Sequence, residues 1–213
     1  MPFLLRGSAK GFAKPVELRD RAGKRMHAGR YWDAEVKEHV SGDGPGHRAY
    51  SALPLDWDGD GDLDLVVGTD HGGIYLRVNE GTPQQPAFAA RLTELKDAAG
   101  NLLQVEDGYQ LPSSADWDGD GRWDLLCGSA GGSVWWFRNA GAKGKPRLEP
   151  PRVLVEADAA GLGKRTQAAA GDFDGDGDLD LLVGDNHQGM KDGKVDFHGY
   201  VWLFRREGPG GAR

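Results

Sequence analysis

Three near-identical stretches decide the fold: DWDGDGDLDLVVG from Asp56 to Gly68, DWDGDGRWDLLCG from Asp116 to Gly128, and DFDGDGDLDLLVG from Asp172 to Gly184. Their first residues are 60 and then 56 positions apart. Self-similarity at a period of this size is typical of repeat architectures, in which each repeat is one supersecondary unit. We therefore expect one structural unit that recurs three times.

A second shared element follows each stretch: GGIYLRVNEG from Gly72, GSVWWFRNAG from Gly132 and GYVWLFRREG from Gly199. β-branched and aromatic residues predict strands in these elements, in the LDLVVG-type segments and before each Asp-rich loop. A weaker fourth strand is predicted in FAARLTEL from Phe88 and in RLEPPRVLVE from Arg147. Four antiparallel strands per repeat are typical of a β-propeller blade.

The apolar pattern also favours stacked blades. The segments 134–137 and 181–183 are nearly continuous apolar runs, which predict strands buried on both faces. Blades stacked around an axis bury both faces of each sheet, whereas an ordinary β-sandwich does not explain the recurring unit. The sequence therefore predicts an all-β fold, a β-propeller of four-stranded antiparallel blades.

The number of predicted blades is three. One propeller domain is expected over residues 1–213, with repeats centred on 46–95, 110–155 and 166–206. FAKPVEL from Phe12 resembles a fourth strand, so an N-terminal strand at 11–18 is predicted to complete the last blade. Propellers usually have at least about four blades. The chain is therefore either a partial propeller or half of a six-bladed dimeric ring.

Each Asp-rich loop has carboxylates at relative positions 1, 3, 5 and 9. Ca²⁺ takes roughly six to eight oxygen ligands in flexible geometry, and such a loop can wrap it. Without a cation, these carboxylates would repel one another. We therefore predict three Ca²⁺ sites, with the backbone carbonyl of position 7 as a further ligand. The predicted metal residues are Asp56, Asp58, Asp60, Asp62, Asp64, Asp116, Asp118, Asp120, Arg122, Asp124, Asp172, Asp174, Asp176, Asp178 and Asp180.

The loops differ from EF-hands, whose position 12 is a bidentate Glu. Here that position holds Val67, Cys127 and Val183, inside predicted strands. Arg122 replaces Asp at position 7 of the second loop, which is expected to be harmless if only the carbonyl binds. Mg²⁺ is a poorer fit because it keeps its waters and demands a near-ideal octahedron.

The composition narrows the classes of partner. Residues 56–64, 116–124 and 172–180 carry 14 Asp and one Arg, a net −13, so the total charge of −7 leaves +6 elsewhere. Those basic residues are scattered, and no clustered run indicates nucleic-acid binding. The single cysteine, Cys127, excludes an intrachain disulfide and is expected to be buried and inert. No run approaches the roughly 18 apolar residues of a membrane span.

The DxDGDGxxDxxxG loop followed by a GxVxxFRNxG strand resembles the FG-GAP/VCBS repeat, the unit of integrin α-subunit propellers and of many bacterial exported proteins. The resemblance implies Ca²⁺ in the turn between the first and second strands of each blade. It also implies an extracellular or periplasmic setting, although no signal peptide is visible in this chain. The expected function is a calcium-binding module for protein or polysaccharide binding or adhesion.

The expected ligand face lies opposite the calcium loops. Six positions separate Gly68 from Ile74, but 17 separate Gly184 from Val201, so the third unit carries eleven extra residues in this turn. Long loops on a rigid scaffold often carry function. The insertion supplies Asp185, Asn186, His187, Lys191, Asp192, Asp196 and His198, and the first unit offers Asp70 and His71. A solvated hairpin with incidental histidines is the alternative.

Three functions stay open. The first is the binding module, with a sugar platform built from exposed aromatic and charged residues between blades: Arg30, Tyr31, Trp32, Asp33, Glu106, Asp107 and Tyr109. The second is an enzyme similar to propeller-type polysaccharide lyases acting on uronic-acid glycans, with His187, His198 and Arg30 as the candidate catalytic residues. The third is a scaffold segment of a larger exported protein. A homodimer is the predicted assembly if the ring has six blades.

Overall fold

The computed structural model describes residues 3–4, 7–8, 11–12, 14, 16–24, 26, 30–33, 37–41, 49–71, 73–105, 108–191 and 193–207. Within this part of the chain, α1 at Ala157–Ala160 is the single helix. No helix in it is long and apolar enough to cross a bilayer.

The strands are β1 (Phe3–Leu4), β2 (Gly7–Ser8), β3 (Gly11–Phe12), β4 (Val16–Glu17), β5 (Arg30–Asp33), β6 (Glu38–Ser41), β7 (Ala49–Leu55), β8 (Asp64–Thr69), β9 (Ile74–Arg77), β10 (Thr93–Glu94), β11 (Leu111–Ala115), β12 (Asp124–Gly128), β13 (Val134–Phe137), β14 (Arg152–Val155), β15 (Lys164–Gly171), β16 (Asp180–Lys191), β17 (Lys194–His198) and β18 (Val201–Phe204).

Three antiparallel sheets carry the repeat. Sheet 1 has the order β10-β9-β8-β7, and sheet 2 has the order β11-β12-β13-β14. In sheet 3, β16 pairs with β15 on one side and with both β18 and β17 on the other. The expected all-β architecture of four-stranded antiparallel units is confirmed. Closure of these sheets into a propeller stays a prediction.

The sheets stack on one another in chain order. Because side chains alternate along a strand, each sheet has a near face toward the preceding sheet and a far face toward the following one. Val66 on the far face of sheet 1 shares a buried cluster with Leu125 and Cys127 on the near face of sheet 2. Leu126 on the far face of sheet 2 packs with Leu181 of sheet 3. Residues 134–137 are therefore covered on both faces, as expected. The same expectation for 181–183 was wrong, because this part of β16 packs on sheet 2 with its near face, whereas Leu203, which pairs with Leu182 on the far face, is exposed.

Backbones of neighbouring sheets approach closely at a glycine that ends the second strand. A Cβ added at Gly128 would lie 2.0 Å from the backbone oxygen of Thr166 in sheet 3. The same atom at Gly68 would lie 2.0 Å from the backbone oxygen of Gln110. Only glycine leaves room for this contact, which explains the glycine at the end of LDLVVG and DLLCG.

Cys127 lies in the core between sheets 1 and 2. The thiol is completely buried, and this burial raises its pKa to about 12. Because the thiolate is the reactive form, Cys127 is an apolar packing residue and not a nucleophile.

The N-terminal segment 11–18 was predicted to complete the last blade. Among the described residues, β4 pairs with β1, and β3 pairs with β2. β17, which comes from the eleven-residue insertion, lies end to end with β18 along the same side of β16 and so lengthens sheet 3. Among the described residues, β18 pairs with β16 alone. Completion of this blade by residues 11–18 therefore stays a prediction.

Candidate metal sites and the arm of the third sheet

The three Asp-rich loops occupy equivalent places between the first and second strands of their sheets. Loop 1 (residues 56–64) joins β7 to β8, loop 2 (116–124) joins β11 to β12, and loop 3 (172–180) joins β15 to β16. In each loop, one carboxylate oxygen from positions 1, 3 and 5 lies within 4.8 Å of the other two. The clustered residues are Asp56, Asp58 and Asp60; Asp116, Asp118 and Asp120; and Asp172, Asp174 and Asp176.

Glycines at positions 4 and 6 allow each loop to curl around this cluster. Their φ angles lie between 74° and 95°, in the left-handed region that L side chains rarely adopt. Side chains also hold the turn, since the Asp60 carboxylate accepts a 3.0 Å hydrogen bond from the Asp62 N–H. The equivalent bond in loop 3 joins the Asp178 N–H to Asp176. The conformation of the loop backbone thus brings the carboxylates together.

The clusters contain carboxylate oxygens that need a partner. Oδ1 of Asp56, Oδ1 of Asp116 and Oδ1 of Asp118 are buried and accept no hydrogen bond. A buried ionised oxygen without a partner is costly, and a hard cation bound among the carboxylates would satisfy it. The donor set of convergent carboxylate oxygens in loops 1 and 2 therefore fits Ca²⁺, which accepts oxygen ligands in varied geometry. Loop 3 has the same convergence but is more exposed.

Position 7 holds a buried carboxylate in loop 1. Asp62 is almost fully buried, and one of its oxygens has no partner. Burial, followed by repulsion from Asp60 and Asp58, raises the pKa of Asp62. A cation in the loop would offset this repulsion, because it would reduce the negative charge that Asp62 meets.

Position 9 has an anchoring role that sequence analysis missed. Asp64 accepts hydrogen bonds from the N–H of Trp57 at 3.1 Å and from the N–H of Asn79 at 2.7 Å. Asp124 and Asp180 are equally buried and accept the equivalent pairs of backbone bonds. Each of these carboxylates ties its loop to the end of the third strand. Their assignment as Ca²⁺ ligands stays a prediction.

Asp124 is the most heavily bonded of the three. It accepts bonds from the N–H of Trp117 at 3.2 Å, the N–H of Asn139 at 2.6 Å and the Trp136 indole at 2.9 Å. Burial nevertheless raises its pKa, because the hydrogen bonds only partly compensate for lost solvation. The FRN element after β13 thus supports loop 2 directly, since Asn139 is its last residue.

Comparison with known protein families matches the part of the chain that contains loops 2 and 3. Residues 116–183 match the family model described as FG-GAP-like repeat. This part of the chain is similar to an FG-GAP-like repeat. The match begins at the first carboxylate of loop 2 and ends on β16, beyond loop 3, which confirms the resemblance read from the sequence. No curated protein and no solved structure matches the chain.

Two arginines distinguish loop 2 of the FG-GAP-like repeat from loop 1. The Arg122 guanidinium forms an ion pair with Asp120 and donates a 3.0 Å bond to the carbonyl of Asn139. Arg138 forms ion pairs with both Asp118 and Asp120. Burial opposes ionisation of Asp118, but Arg138 outweighs it and lowers the pKa of this carboxyl. The side chain of Arg122 therefore takes part in the site, beyond its expected backbone role.

The residue at the place of Arg138 differs between the three loops. Val78 occupies the place of Arg138 beside loop 1. Arg205 occupies it beside loop 3, where its guanidinium lies 3.3 Å from Asp174. The repeat motif FRN contained this signal, because its arginine follows the strand that ends beside the loop. The three loops are consequently alike in backbone and different in charge.

The eleven-residue insertion forms a two-stranded arm, the outer part of β16 paired with β17. His187 lies directly opposite His198 across the arm, with ring centroids 5.3 Å apart and rings nearly parallel at 3°. Tyr200 stands edge-on to both imidazoles, and Trp202 stands edge-on to Tyr200. Two of the three candidate catalytic residues are therefore neighbours in space.

Asp185 anchors this aromatic cluster. Its fully buried carboxylate accepts bonds from the N–H groups of Gly163 at 2.8 Å and Tyr200 at 2.7 Å, and from the Trp202 indole at 2.8 Å. His187 Nε2 lies 3.0 Å from the same carboxylate. Burial alone would raise the pKa of Asp185, but these bonds outweigh it and lower the pKa. The imidazole of His187 is held in place as a result.

The remaining candidates are dispersed. Tyr109 stacks under the Arg165 guanidinium at 5.2 Å, and His71 pairs with Asp70 at 2.9 Å. Trp57 and Trp117, at position 2 of their loops, pack on the two cores, whereas Phe173 is exposed. Several candidates lie outside the described residues or have only their backbone described: Arg30, Tyr31, Trp32, Asp33, Glu106, Asp107, Lys191 and Asp192.

Proposed function

We propose that this chain is a β-sheet repeat module that is stabilised by three Ca²⁺ ions and binds a polysaccharide or protein outside the cell or in the periplasm. The observation that carries the proposal is the recurrence of one arrangement in all three loops, a cluster of carboxylates at positions 1, 3 and 5. Buried oxygens without partners in loops 1 and 2 support a bound cation. When bound, Ca²⁺ would supply the positive charge that offsets the repulsion between these carboxylates.

The arm of sheet 3 is the proposed ligand site. The chain enters each second strand from a metal loop, so the following turn lies at the opposite end of the sheet. Tyr200 is 53% exposed and sits beside two imidazoles at this end. A half-exposed aromatic ring beside polar rings suits stacking of a sugar together with hydrogen bonds to its hydroxyl groups.

A lyase is the second candidate, because the arm brings His187, His198 and Tyr200 together. An imidazole or phenolate there would take the proton beside a uronate carboxylate. The electron pair of that C–H bond would form a carbon–carbon double bond as the adjacent C–O bond of the glycosidic linkage breaks, and the leaving oxygen would take a proton from water. Asp185 would hold His187 in position for this step.

One experiment separates these functions. We expect immobilised polyuronate to retain the calcium-loaded protein without releasing unsaturated oligosaccharides, which absorb in the ultraviolet. Replacing Tyr200→Ala should weaken retention about tenfold, since a stacking aromatic ring contributes roughly 1–1.5 kcal/mol. Phe197→Ala is the matched control, because Phe197 is also exposed on the arm but lies across from Gln188, on the opposite face from the histidine pair. Equal retention of both variants would contradict the site, and unsaturated products would establish the lyase.

The charge difference between loops predicts unequal calcium affinities. The substitution Arg138→Val removes the guanidinium that would compete with calcium for Asp118 and Asp120. It also gives loop 2 the residue that loop 1 has at the equivalent place, Val78. We expect one of three sites, measured by calorimetric titration, to bind calcium about three- to tenfold more tightly. Arg152→Val is the control, since Arg152 pairs with Glu149 and not with the loop. Unchanged affinity in Arg138→Val would show that Arg138 does not compete with calcium.

A further inference from the structure

The far face of sheet 3 is exposed although the equivalent faces of sheets 1 and 2 are buried. Val201 and Leu203 on β18 are 70% and 48% exposed. The residue equivalent to Val201 is Ile74 in sheet 1 and Val134 in sheet 2, and both are fully buried. Leu203 pairs with Leu182, which lies on the same face. Exposed apolar side chains at positions built for packing indicate a missing neighbour.

The glycine at the end of the second strand gives an independent indication. Gly68 and Gly128 are each in contact with the backbone of the following sheet, as described above. Gly184 is the equivalent residue of sheet 3, and an added Cβ there would meet nothing within 4 Å. Sheet 3 thus retains the small residue that backbone docking requires, with open space where the docked backbone would lie.

The first strand of sheet 1 is open on the complementary face. Ala52 and Pro54 lie on the near face of β7 and are exposed. The residues equivalent to Ala52 are Pro112 and Ala168, and both are buried against the preceding sheet. Tyr75 and Arg77, on the third strand of the same near face, are already buried. The open part of this face is therefore the first strand, which is also the strand that the close glycine contacts use.

Backbone hydrogen bonds between sheets define how the two open faces would meet. The carbonyl of Thr69 accepts a 3.1 Å bond from the Gln110 N–H, and the carbonyl of Ser129 accepts a 3.1 Å bond from the Thr166 N–H. An equivalent third bond would join the carbonyl of Asp185 in sheet 3 to the N–H at position 50 in sheet 1. These two groups lie at opposite ends of the stack, in sheets 3 and 1.

We propose that the far face of sheet 3 binds the near face of sheet 1 in a second copy of this chain. Each copy carries both surfaces, so a two-fold axis would close a pair with two identical contacts. Repeat arrays normally end in units with polar outer faces, and the two outer faces here are apolar or small at their contact positions. A second copy would give both faces the neighbour that the internal sheets already have.

The test uses the full chain with Gly184→Val and Gly189→Val. Both glycines lie on β16, have open space for a side chain and lack a positive φ, so neither substitution should disturb the isolated fold. Light scattering of the original chain should give twice its mass of 23.0 kDa. Gly184→Val should give a single chain because its side chain fills the docking space, and Gly189→Val should remain a pair.

Three outcomes would overturn the inference. The first is an original chain that stays monomeric at all soluble concentrations, and the second is a Gly184→Val variant that remains a dimer. The third is a mass that grows steadily with protein concentration, which would show that the contacts form open chains of molecules and not a closed pair. Equal melting temperatures of the monomeric variant and of Gly189→Val at high dilution would establish that the fold is intact. The inference depends on sheet stacking alone, so loss of calcium binding would leave it standing.

Discussion

EGTA is expected to lower the melting temperature of the calcium-loaded protein by about 20 °C. An ion that binds only the folded state stabilises it by RT ln(1 + [L]/Kd), about 2.7 kcal/mol at a hundredfold excess over Kd. Three such sites would contribute about 8 kcal/mol, and each kcal/mol shifts Tm by roughly 2–4 °C in a chain of this size. Calorimetry or circular dichroism in millimolar calcium, with and without EGTA, measures the shift.

The control for calcium removal is a variant in which each loop lacks one carboxylate of its cluster. Replacing Asp56, Asp116 and Asp172 by Asn removes the first carboxylate of each cluster. Its melting temperature should be low and should not respond to EGTA. Magnesium in excess should restore little of the loss, because it keeps its waters and prefers a rigid octahedron. An unchanged melting temperature of the original chain in EGTA would eliminate the three-site proposal.

The repeat and its metal loops were predictable from sequence because both depend on short-range patterns. Glycines between carboxylates predict the positive φ angles found at Gly59 and Gly61, and the run VWWF at 134–137 predicts the strand that packs on both of its faces. The convergence of Asp56, Asp58 and Asp60 follows from the same spacing. Each of these inferences involves residues within about ten positions of one another, where backbone geometry alone determines proximity.

The roles of position 9 and of the arginines depended on contacts across the sheet. Asp64 meets the N–H of Asn79 fifteen residues later, and Arg138 meets Asp118 twenty residues earlier. These contacts follow only when the register between the second and third strands is known. The FRN motif was visible in the sequence, but the direction of its arginine side chain was not.

The contacts within the insertion were also unpredictable without the strand register. Its length and its histidines were evident, yet the opposition of His187 and His198 depends on the register of the arm. A shift by one residue would place these rings on opposite faces. The exposure of Val201 was likewise hidden, because its sequence resembles that of the buried strand at Val134. Local pattern therefore predicts a strand, and the neighbouring sheet determines whether it is buried.

Asp124→Asn is expected to destabilise the protein by about 3–5 kcal/mol and to lower Tm by about 10 °C. Asp124 accepts three hydrogen bonds inside the fold, from Trp117, Asn139 and Trp136. An amide has only one accepting oxygen, so its NH₂ group would face a buried donor and leave at least one N–H unpaired. Charge-assisted bonds from the remaining donors would also be lost.

Measurement of Asp124→Asn in EGTA distinguishes anchoring from metal binding. If Asp124 ties the loop to the end of β13, most of its destabilisation persists in EGTA, because the three donors remain buried whether or not calcium is bound. If Asp124 acts only as a ligand, the variant and the original chain unfold at the same temperature in EGTA. Asp158→Asn, an exposed aspartate on α1, serves as the control for loss of charge and should change Tm by less than about 2 °C. Asp64→Asn should cost less than Asp124→Asn, since Leu76 replaces the indole donor of Trp136 beside loop 1.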